Sequence, residues 1–156
     1  CMVRYKMSFA DGVALYGKYV GNWGGAATRW RFDAKNGDTV VKSVTLCPSH
    51  RLHLEVTPSA TVLREGDTYD MAGVRVRILD ENGSPAVYAQ LPLTLAVTGA
   101  AALVGPVAAT AEGGMGGTYL RTVGQTGTAA LTVSAPQCAP VTVEFTVTKK
   151  ECAVWN

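Results

Sequence analysis

The sequence predicts an all-β chain. Its main body is an immunoglobulin-like antiparallel β-sandwich, preceded by a segment with one short helix and a β-hairpin. Three observations lead there. Apolar and polar residues alternate with period two along repeated short runs. Turn residues punctuate those runs at short intervals. Gly is abundant, at 17 of 156 residues, in a chain rich in Val, Thr and Ala.

The helix comes first. Ser8-Phe9-Ala10-Asp11 reads as a capping box, with Ser8 as N-cap and an acid three residues on. Phe9, Val13, Tyr16 and Val20 then share one helical face, and Gly21 supplies the stop. Thr28 to Phe32 alternates, Trp30 and Phe32 opposing Arg29 and Arg31. Asn36-Gly37 is a hairpin turn, and Thr39 to Leu46 is the returning strand. Pro48-Ser49 marks a boundary. Beyond it Leu52, Leu54 and Val56 alternate with His53 and Glu55, and Val74, Val76 and Ile78 with Arg75 and Arg77. Asp80-Glu81-Asn82-Gly83 is a turn. Leu93 to Val97, Tyr119 to Val123, Ala129 to Val133 and Val141 to Val147 supply further strands. The expected division is a helix-plus-hairpin segment over 1–48, a sandwich of roughly seven strands over 49–149, and a tail over 150–156. Segment 1–48 is too small to fold alone, so it packs either on the sandwich or on a parent domain outside this chain.

Composition narrows the function. The apolar fraction of 47% supports a real core. A formal net charge of +2 gives no electrostatic case for nucleic acid or an anionic membrane. The stretch between Glu81 and Glu112 lacks charge, but Gln90, Pro92, Gly99, Gly105 and Pro106 fit buried strands better than a membrane span. The start, Cys1-Met2-Val3-Arg4, has no signal-peptide pattern and no initiating Met, as expected of a piece of a longer chain. Cys1, Cys47, Cys138 and Cys152 are too sparse for a disulfide scaffold. A Cys138–Cys152 bridge is open, and so is the redox compartment.

Residues able to carry chemistry are few. Glu65, Asp67 and Asp70 cluster in a loop, and Asp80 and Glu81 in a turn; solvated turn chemistry accounts for them better than a glycosidase acid pair or a weak Ca²⁺ site. Cys47-x-x-His50-x-x-His53 imitates metal-ligand spacing, but strand residues three apart face opposite ways. No metal and no cofactor is therefore expected. The run Glu112 to Thr118 lacks the phosphate-loop ending and reads as a flexible or close-packed entry into the strand at Tyr119. Seven of the twelve aromatics lie in the first 47 residues: Tyr5, Phe9, Tyr16, Tyr19, Trp23, Trp30 and Phe32. Tyr16, Tyr19, Trp23 and Trp30 are the candidate contact residues. Packing against a neighbouring domain is their first reading and stacking on a sugar ring the second.

Several strings, taken in order, carry a resemblance. They are Leu15-Tyr16-Gly17-Lys18-Tyr19-Val20-Gly21-Asn22-Trp23-Gly24-Gly25, then Trp30-Arg31-Phe32, the stretch from Asp67 to Arg77, Leu79-Asp80-Glu81-Asn82-Gly83, Leu103-Val104-Gly105-Pro106, and Gly113 to Tyr119. Together, over roughly residues 12–135, they resemble the C-terminal region of bacterial glycoside hydrolase family 2 enzymes of the β-galactosidase type. There an Ig-like domain follows the catalytic barrel. The resemblance implies a bacterial accessory domain, not an enzyme by itself, since the family's catalytic glutamates belong to a barrel that this chain is too short to form. It implies packing on neighbouring domains, shaping of the site's mouth, help in oligomerisation, or contact with glycan. Other domains of the parent are the expected partners, with carbohydrate second. The compartment, cytoplasmic or exported, stays open. The alternatives are a carbohydrate-binding module and a bacterial surface Ig-like adhesin repeat, whose turns resemble Asp80 to Gly83; the helix and Trp-rich opening speak against the repeat.

Overall fold

The computed structural model describes residues 2–21, 28–48 and 50–150. A one-turn helix α1 (Met2–Tyr5) precedes α2 (Phe9–Tyr19). The capping box is formed: the Ser8 hydroxyl accepts the Asp11 N–H at 3.2 Å, and the Asp11 carboxylate accepts the Ser8 N–H at 2.8 Å. The C-terminal end closes as the N–H groups of Val20 and Gly21 both donate to the Tyr16 carbonyl. Strands β1 (Trp30–Asn36) and β2 (Thr39–Leu46) make the expected hairpin, with Gly37 at φ 60° in its turn. A bulge sits between Ala34 and Lys35.

The sandwich has two sheets. One runs β3 (Leu52–Pro58), β5 (Met71–Asp80), β9 (Met115–Thr122), β7 (Ala101–Val104), in that spatial order. The other runs β4 (Val62–Glu65), β11 (Val141–Lys149), β10 (Gly127–Ser134), β6 (Pro92–Gly99), β8 (Ala108–Thr110). The nine strands exceed the seven expected because β4, β7 and β8 are too short to show a period. All pairings are antiparallel except β4 with β11, which is parallel from Val62 opposite Thr146 to Glu65 opposite Lys149. That pair arises because the chain leaves β3 and crosses to the other sheet, arriving on the edge of β11 in the same direction. The chargeless stretch after Glu81 becomes β6, β7 and β8, and among the described residues no helix is long and apolar enough to cross a membrane.

The core lies between the sheets. Val74, Val76, Ile78, Leu54 and Leu120 from one sheet meet Phe145, Leu131, Val133, Leu93, Leu95 and Leu63 from the other. Apart from Leu63, on a strand too short to read, these residues lie on the strands read from sequence and follow their alternation. Arg75 points outward and is exposed, while Arg77 is half-buried because it reaches the Glu55 carboxylate across the strand pair, Nε to Oε1 at 2.9 Å.

The glycine-rich run is close-packed rather than flexible. A Cβ on Gly114 would stand 2.4 Å from the Ala86 carbonyl oxygen, and one on Gly116 would stand 2.8 Å from a Leu93 methyl. The strand therefore enters the sheet along a path that only glycine clears. Cys47 and Cys138 are free, and burial raises the Cys138 thiol pKa. Cys152, its candidate partner, lies outside the described residues.

Candidate functional site

The acidic clusters serve the fold. Asp80 is buried, and its Oδ1 accepts the N–H groups of Asn82 and Ser84, both at 2.8 Å, which fixes the turn carrying Gly83 at φ 77°. Asp70 Oδ2 accepts the Arg64 N–H and Oδ1 that of Met71, each at 2.9 Å, tying the loop to β4 and β5. The Thr122 hydroxyl, with the Gly124 N–H, holds the Glu65 carboxyl below the usual range. Arg77 holds Glu55 down in the same way. A general acid needs the opposite shift. Glu81 accepts the N–H groups of His50 and Arg51. His50 precedes β3 and His53 lies on it, exposed, and no group of three metal-ligating side chains converges among the described residues.

The candidate aromatics sit on two separate elements. Tyr16 and Tyr19 belong to α2, are about half exposed, and α2 buries no residue. The Tyr16 ring rests on Gly21, and the Lys18 ammonium stands 5.0 Å from the Tyr19 ring centre. Trp30 belongs to β1 opposite Leu46, and Phe32 lies opposite Val44 on the same face. The other face carries Arg31, Asp33 and Ser43, whose carboxylate, guanidinium and hydroxyl are joined at 2.6–2.8 Å. The hairpin is thus amphipathic, yet Trp30, Phe32, Val44 and Leu46 are all exposed. The helix repeats the pattern: Phe9, Val13, Tyr16 and Val20 form an exposed apolar stripe. Trp23 lies outside the described residues.

The two outer faces of the sandwich differ. The five-stranded sheet presents Thr94, Thr98, Thr128, Thr132, Thr142, Thr146 and Thr148 with Ala96, Ala130 and Glu144, and Val62 and Arg64 at its β4 edge, a mostly small and hydroxylated surface suited to water. The four-stranded sheet presents Met71, Met115, Tyr119 and Val104, all exposed, among Arg75, Arg77 and Arg121. In its middle the register sets Gly73 opposite Tyr119 and Arg75 opposite Gly117. The Tyr119 ring lies along Gly73, 3.4 Å from where a Cβ would stand. The missing side chains leave a groove of about 420 Å³ walled by Tyr119, Arg75, Thr57 and Ser59. Alternation along the strand from Tyr119 to Val123 was the signal that could have set Tyr119 on the face opposite buried Leu120, but the groove depends on cross-strand register. A second cleft of about 700 Å³ is lined by His50, Arg51, Tyr88, Gln90 and Gln137 among others.

Comparison with known proteins adds the context. Residues 54–144 match the family described as glycoside hydrolase family 2 C-terminal domain 5. A glycosyl hydrolase family 2 member from Bacteroides cellulosilyticus superposes with a TM-score of 0.62 at 14% identity, over 80% of this chain and 18% of that one. A β-glycosidase from Bacteroides vulgatus gives a TM-score of 0.63 at 15% identity, over 78% of this chain and 18% of that one. A β-glucuronidase from the same family gives 0.60 at 16% identity, over 80% and 14%. At such identities the likeness is one of fold. The chain spans less than one fifth of each of these enzymes. No curated protein sequence matches it.

Proposed function

The chain belongs to the glycoside hydrolase family 2 C-terminal domain 5 family, and from that premise we propose that it is a non-catalytic accessory domain that docks on other domains of a bacterial glycosidase. The observation that carries this reading is the unburied apolar face of the hairpin, Trp30, Phe32, Val44 and Leu46, together with the equally unburied stripe of α2. A lone two-stranded hairpin is marginal in water. Aromatics of this size gain most of their stabilisation from burial. We take residues 1–48 as the docking segment, 49–149 as the sandwich and 150–156 as a tail, with Tyr16, Tyr19 and Trp30 in the interdomain contact. The order of the sequence strings favours a β-galactosidase-type parent. Stacking on sugar is the second use open to the same rings.

Hydrolysis tests the non-catalytic part. The purified chain should turn over neither a nitrophenyl β-galactoside nor a nitrophenyl β-glucuronide. Turnover abolished by one Glu or Asp substitution overturns the reading.

A further inference from the structure

We propose that the groove under Tyr119, on the outer face of the four-stranded sheet, is a subsite for an anionic saccharide such as a uronic-acid chain. The proposal rests on the reading of the chain as part of a glycosidase, but its site is separate from the docking segment.

Four features point to this ligand class. First, the floor is backbone: Gly73 and Gly117 lie diagonally across β5 and β9, two residues apart in register, where other outward positions carry side chains. The groove, at about 420 Å³, has the scale of a small-ligand site. Second, Tyr119 is 56% exposed with its ring held against Gly73, which presents a flat apolar wall. Such a ring can cover the C–H face of a pyranose. Third, hydroxyls line the far side. Ser59 Oγ accepts the Gly73 N–H at 3.0 Å, so its own proton is free to donate outward. Thr57 stands next to it, opposite Arg75.

The fourth feature is charge. The outward positions of these strands bring together Arg75, Arg77 and Arg121 against the single carboxylate of Glu55. Arg77 occupies that carboxylate at 2.9 Å, and Arg121 lies over the Tyr69 ring at 5.5 Å. Arg75, exposed at the groove wall, makes no hydrogen bond or close ion pair among the described residues and feels only the longer-range attraction of Glu55, whose pKa it helps to lower after Arg77. A guanidinium in that position is matched by a carboxylate, which it can hold bidentately. On the threonine face of the five-stranded sheet the one guanidinium among the described residues is Arg64, at the β4 edge, and no aromatic stands there, so a ring and guanidinia come together only on the other side of the sandwich.

The test uses the intact chain with two probes of equal length, an oligogalacturonide and a neutral galacto-oligosaccharide, titrated by calorimetry. The oligogalacturonide should bind at least about tenfold tighter, since a charge-assisted hydrogen bond carries that order of preference, and the preference should shrink as salt is raised. Tyr119→Ala should abolish binding of both probes. Arg75→Gln should remove the preference while leaving the weaker neutral binding and the melting temperature in place. Equal binding of the two probes, binding of neither, or binding untouched by both substitutions overturns the proposal. So does burial of Tyr119 in the whole glycosidase without saccharide, which would assign the groove to a neighbouring domain. Loss of the docking reading would leave these titrations unchanged, and failure here would leave the docking reading intact.

Discussion

Val76→Ala is the substitution that tests the sandwich register most sharply. Val76 sits mid-strand on β5, between β3 and β9, and its side chain has no exposure. The change deletes two methyl groups. At about 0.8 kcal/mol each, their transfer accounts for ~1.6 kcal/mol. The hole left between two sheets that cannot close independently adds up to ~1 kcal/mol. The expected loss is therefore about 2 kcal/mol. Arg75 is the control, one residue away with the opposite orientation and only a solvent-screened attraction to Glu55 to lose; Arg75→Ala should stay within about 0.5 kcal/mol. Arg77 is a poorer control, because its substitution also breaks the bond to Glu55. Urea denaturation followed by far-ultraviolet circular dichroism measures all three, with unchanged slope as the condition for comparison. Equal loss for Val76→Ala and Arg75→Ala would mean that the strand faces are assigned the wrong way round.

Two further predictions concern the turns. Gly83 and Gly114 both have φ near +75°, but a Cβ on Gly83 meets nothing within 4 Å whereas one on Gly114 meets the Ala86 carbonyl oxygen at 2.4 Å. Gly83→Ala should cost only the left-handed strain of about 1 kcal/mol, and Gly114→Ala clearly more; equal denaturation midpoints would refute the close-packed account. Glu65 is held below its ordinary pKa by Thr122 and Gly124. Its contribution is thus present above the unfolded value of about 4.3 and lost as pH falls through the lower folded value. Glu65→Gln should weaken the chain at pH 7 and reduce its acid sensitivity below about pH 4; an unchanged pH–stability profile would remove Glu65 from the account.

The long strands were legible because period two survives in single sequence: β5 reads Val-Arg-Val-Arg-Ile, and β11 reads Val-Thr-Val-Glu-Phe. The capping box at Ser8 and the turn at Gly37 were legible because both are local. Strands β4, β7 and β8 were not, since three or four residues show barely one alternation. The parallel contact of β4 with β11 joins positions more than 80 residues apart. The glycine run could be read as close-packed, but its reason is the Ala86 carbonyl, which only the folded chain places there. The same holds for the candidate surfaces. The aromatic richness of the opening was visible in composition, and that its rings would stay uncovered was not. The Tyr119 groove needed the pairing of Gly73 with Tyr119 and of Arg75 with Gly117.

Hydroxyl-radical footprinting of the isolated chain and of the glycosidase that contains it tests the docking account most directly. Tyr16, Trp30 and Phe32 should oxidise readily in the isolated chain, where each is 43–56% exposed, and become strongly protected in the whole enzyme. Equal oxidation of these three rings in both proteins would contradict it.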